Sequence, residues 1–105
     1  MGLDVSIFDK NERRLATRRI GNVAHVARLR DLAAARLGSK SLVVSKMLYD
    51  GTHSGDSLAV TELGQLSTEL LALEGAPEQE MQSFAREMLE IVRAARQHER
   101  PVCFT

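Results

Sequence analysis

A chain of 105 residues with 14 Lys plus Arg, 14 Asp plus Glu, three His, one Cys and no Trp suits a single core, so one domain over residues 1–105 is expected. Its 44% apolar and 27% charged residues describe a soluble globular chain rather than a disordered or fibrous one. The one cysteine, Cys103, excludes a disulfide scaffold and a cysteine-rich zinc module. The longest apolar run is too short to span a membrane, and the charged first twenty residues lack a secretory core, so a cytoplasmic protein is expected.

Residues 3–8 alternate Leu3, Val5 and Ile7 with Asp4 and Ser6, the period of a half-buried strand that ends at the polar run from Asp9. Residues 11–21 are rich in arginine, with only Leu15, Ala16 and Ile20 to bury, and a loop or an irregular strand is the expectation. Asn22 is placed to cap a helix that runs to about Leu37 and stops at Gly38. Its apolar stripe is Val23, Val26, Leu29, Ala33 and Leu37. Arg30 falls inside that stripe, where its stem covers the core with the head in water, or its head meets a carboxylate.

Ser41–Tyr49 is ambiguous, since Val43 and Val44 favour a strand while a short helix would bury Leu42, Met47 and Leu48. Residues 50–56 are a loop on turn chemistry, with Asp50-Gly51 and Ser54-Gly55 as turn dipeptides. Thr61 is expected to cap a helix over 62–74 whose stripe is Leu63, Leu66, Leu70 and Leu73, ended by Gly75. A last helix over 77–98 buries Met81, Phe84, Met88, Ile91 or Val92, and Ala95, and Pro101 stops it. Val102-Cys103-Phe104 reads as a strand tied to the sheet. These elements predict an α+β fold: a small sheet holding the N- and C-terminal strands side by side, one face covered by three helices, its exposed edge a natural dimer surface.

The zero net charge hides a polarity. Residues 1–46 carry ten basic and four acidic side chains, a net of +6, and the remainder four basic and ten acidic, a net of −6. Attraction within the fold or between subunits is the favoured outcome. Nucleic-acid binding through Arg13, Arg14, Arg18 and Arg19 is the alternative, but it lacks aromatic stacking groups beyond Phe8 and any module signature.

The richest polar cluster is the loop with Asp50, Thr52, His53, Ser54 and Asp56, a candidate ligand-binding or hydrolytic site. Asp4 or His25 would be further metal ligands if the fold brought them near, because zinc and iron take imidazole with carboxylate. No established ligand spacing is present, and the serine stands one place late for a nucleophile elbow. A surface loop whose Asp and Ser cap their own backbone is the plainer reading, so no cofactor or metal is expected. His25 reads as a partly buried histidine bonded to a carbonyl, His98 as a helix-end charge, and Cys103 as a buried small hydrophobe.

The opening Met1-Gly2-Leu3-Asp4, the Gly21–Val26 helix start, Leu48-Tyr49 followed by the Gly51–Asp56 run, and the ending Pro101–Thr105 together resemble a group of small bacterial proteins of about this length. The resemblance covers nearly the whole chain and carries no activity. It implies a bacterial, cytosolic, single-domain protein. Some small bacterial proteins of this kind look like immunity proteins, which bind and block a toxin, although no motif assigns this chain to them. A non-enzymatic interaction module, homodimeric and binding a protein partner through its charged faces, is the leading expectation. An enzyme using the 50–56 loop is the second.

Overall fold

The computed structural model describes residues 2–48 and 57–104, leaving aside the side chains of residues 2, 3 and 23. Strand β1 (Gly2–Phe8) pairs antiparallel with β2 (Arg14–Asn22), with Val5 opposite Arg18 and Ser6 opposite Thr17. β1 also pairs with β4 (Val102–Phe104), which in turn pairs with the short β3 (Ser57–Leu58). The order is β2-β1-β4-β3. The terminal strands therefore lie side by side in an α+β fold, as their alternation predicts.

Register sorts the two faces of the sheet. Val5, Ile7, Leu58, Val102 and Phe104 are buried on one face, against helices α1 (Val23–Leu37) and α3 (Gln79–His98). Helix α2 (Leu63–Glu74) packs on α3 and seals its own stripe of Leu63, Leu66, Leu70 and Leu73. Asp4, Ser6, Phe8, Thr17, Arg19 and Cys103 belong to the opposite face. There Cys103 is half-buried beside Ser6, not the fully buried hydrophobe that an apolar strand suggests. It sits on the polar side because its neighbours Val102 and Phe104 take the core.

The arginine-rich stretch takes the second of its two expected forms, an irregular strand. Asp9 replaces the missing glycine in the turn: its Oδ1 accepts from the backbone N–H of Asn11 at 2.8 Å and Arg13 at 2.9 Å. Glu12 takes the left-handed conformation there, with φ 62°. Register shifts near Leu15 and Ile20 make β2 irregular, and Ile20 is its one fully committed core residue.

Helix ends follow the expected chemistry at three points and depart from it at three. Asn22 Oδ1 accepts from His25 N–H at 2.9 Å, and Gly38 stops α1 with φ +88°. α2 ends at Glu74, just before Gly75. Thr61, however, caps nothing: it lies within a 3₁₀ turn (Val60–Glu62), and Glu62 Oε1 instead reaches back to Ala59 N–H at 3.1 Å. α2 accordingly starts at Leu63, while α3 starts at Gln79, because Pro77 and Glu78 form its entry rather than its first turn. α3 also ends before Pro101 can act. Glu99 turns left-handed at φ 54°, and Arg100 N–H returns to Ala95 O at 2.9 Å. A non-glycine residue there is strained, so Glu99→Gly is expected to raise stability by about 0.5–1 kcal/mol. An unchanged or lower thermal midpoint for that variant would remove the reading of strain.

Candidate functional site

Ser41–Leu48 resolves as a helical turn (Val43–Met47) that buries Val43, Val44, Met47 and Leu48. The N–H groups of Leu42, which precedes it, and of Val43, its first residue, point at one carboxylate from α2: Glu69 Oε2 accepts from Leu42 N at 3.1 Å and Oε1 from Val43 N at 2.9 Å. Gln65 Nε2 donates to the same carboxylate at 3.0 Å. Ser41 closes the turn from inside, its Oγ donating to Gly38 O and accepting from Val44 N. This clamp holds the start of the turn against α2. Asp50, Thr52, His53, Ser54 and Asp56 themselves lie outside the described residues.

The four arginines singled out by the sequence do not converge. Arg13 sits in the β1–β2 turn, and Arg14 stands over the Phe8 ring, 5.8 Å from its centroid. Arg19 lies on the open face and meets Asp4 at 3.6 Å, which commits the aspartate once offered as a further metal ligand. Arg18, one residue earlier, points to the helix side and meets Glu90 of α3 at 3.4 Å. β-alternation is the reason: neighbours on a strand face opposite ways, so a run of arginines on β2 is divided between two surfaces.

The remaining pairs bridge the two charge halves of the chain. Arg28 on α1 grips Glu80 on α3 through Nε at 2.7 Å and Nη2 at 2.6 Å. Lys46 meets Glu62 at 2.8 Å. With Arg18–Glu90, three of the four described ion pairs join a cation from residues 1–46 to an anion beyond, which is the internal attraction the charge polarity predicts. Arg30 takes no carboxylate among the described residues. It is half-buried, and its Nε is buried without a partner among the described residues. His25 is half-buried too, its ring resting against the Gly21 backbone. His98 is exposed in the last turn of α3, where a positive charge suits the helix end.

The hydrogen bond from Arg28, and then the Arg28 and His25 charges, hold the Glu80 carboxyl below its ordinary value. The Lys46 hydrogen bond, and then that of Ala59 N–H, do the same for Glu62. A depressed carboxyl stabilises the fold above its unfolded value, and that stabilisation is lost as pH falls through the lower folded value. Both pairs are partly in water, so each contributes modestly. The stability gap between the native chain and Glu80→Gln is expected to narrow steadily from about pH 6 to about pH 3. A gap that stays constant across that window would contradict the assignment.

No protein family matches the chain, nor does any curated protein or solved structure. Among the described residues, no group of three or more His, Cys, Asp or Glu is placed to hold a metal ion. No described helix is long and apolar enough to cross a membrane.

Proposed function

We propose that this chain is a non-enzymatic protein-interaction module that works as a homodimer in a bacterial cytoplasm. The observation that carries this reading is β2. It pairs with β1 on one side alone among the described residues, and six of its nine residues are exposed. Between its register shifts, over Ala16–Arg19, this edge strand presents backbone groups to another chain, with Thr17 O already accepting from Arg18 Nη1 at 2.8 Å. Its arginines add a charged rim suited to steering a partner rather than to gripping one anion, since they are shared between two surfaces. The opposite edge, β3, is only two residues long and offers little to pair with.

Sedimentation velocity over a hundredfold range of concentration, at low and high salt, tests the reading. A concentration-dependent dimer supports it. A monomer throughout, combined with no protein partner recovered by the tagged chain, removes it. The nucleic-acid alternative has its own measurement, a mobility shift at low salt. Two of the arginines it needs already answer to Glu90 and Asp4.

A further inference from the structure

We draw no further inference here: the strongest candidate, the half-buried Arg30 guanidinium in the apolar stripe of α1, carries nothing, because its Nε, without a partner among the described residues, is itself buried and nothing in the structure shows what would reach it.

Discussion

Glu69→Ala is expected to be among the most damaging single changes outside the hydrophobic core, costing about 2–3 kcal/mol, because it strips the acceptor from two backbone N–H groups at once. A carboxylate in front of a helical turn accepts its unsatisfied N–H groups and opposes its dipole. Here that carboxylate comes from α2, 26 positions along the chain from Val43. Without it, Leu42 and Val43 must find water at the margin of the core. For a domain of this size the loss corresponds to a fall in thermal midpoint on the order of 10–20 °C. Glu69→Gln, which keeps one acceptor, should fall between the native chain and Glu69→Ala. Glu74→Ala, exposed at the end of the same helix, should do almost nothing. Faster amide exchange confined to Leu42, Val43 and their neighbours would locate the effect. If Glu69→Ala and Glu74→Ala melt alike, the clamp is incidental.

The clamp also explains why Ser41–Tyr49 could not be resolved from its own residues. Val43 and Val44 are β-branched and Leu42, Met47 and Leu48 are apolar, so local pattern supports strand and helix about equally. The deciding group is Glu69, and sequence spacing carries no sign of it. The α3 stripe shows the opposite case: Met81, Phe84, Met88, Val92 and Ala95 recur with helical period, and all are buried as that period requires. β2 was hard for a third reason. As an edge strand with one face open, it buries only Ile20 fully, and its turn uses Asp9 and Glu12 where Asn-Gly or Asp-Gly would have announced a hairpin. Thr61 misled because a capping residue type preceded an apolar run, whereas Glu62 does the capping one turn earlier, at Ala59. The arginines were legible as a charge excess. Their division between two surfaces became visible only once β2 was known to be a strand.

Gly21→Ala is expected to cost about 2–4 kcal/mol, through two separable causes. β2 passes into α1 with no connecting loop: Asn22 ends the strand and caps the helix, and Val23 begins it. Gly21 makes that corner with φ +150°, a region closed to side chains. A Cβ there would lie 2.6 Å from His25 Cδ2 and 3.2 Å from its Cβ, so the ring must leave its seat on the backbone. His25 N–H also donates to the Asn22 cap, so displacing the residue disturbs the start of α1 as well as its packing. A double-mutant cycle separates the causes, because His25→Ala removes the ring clash and leaves the backbone strain. In the Gly21→Ala background, His25→Ala should therefore recover about 1 kcal/mol and no more. Full recovery would make the corner purely steric, and no recovery would make it purely conformational. A neutral Gly21→Ala would mean that the corner can be turned another way. That outcome would reach beyond stability. Gly21 also lies at a register shift of β2, so the residue that turns the chain into α1 sits where β2 departs from regular pairing.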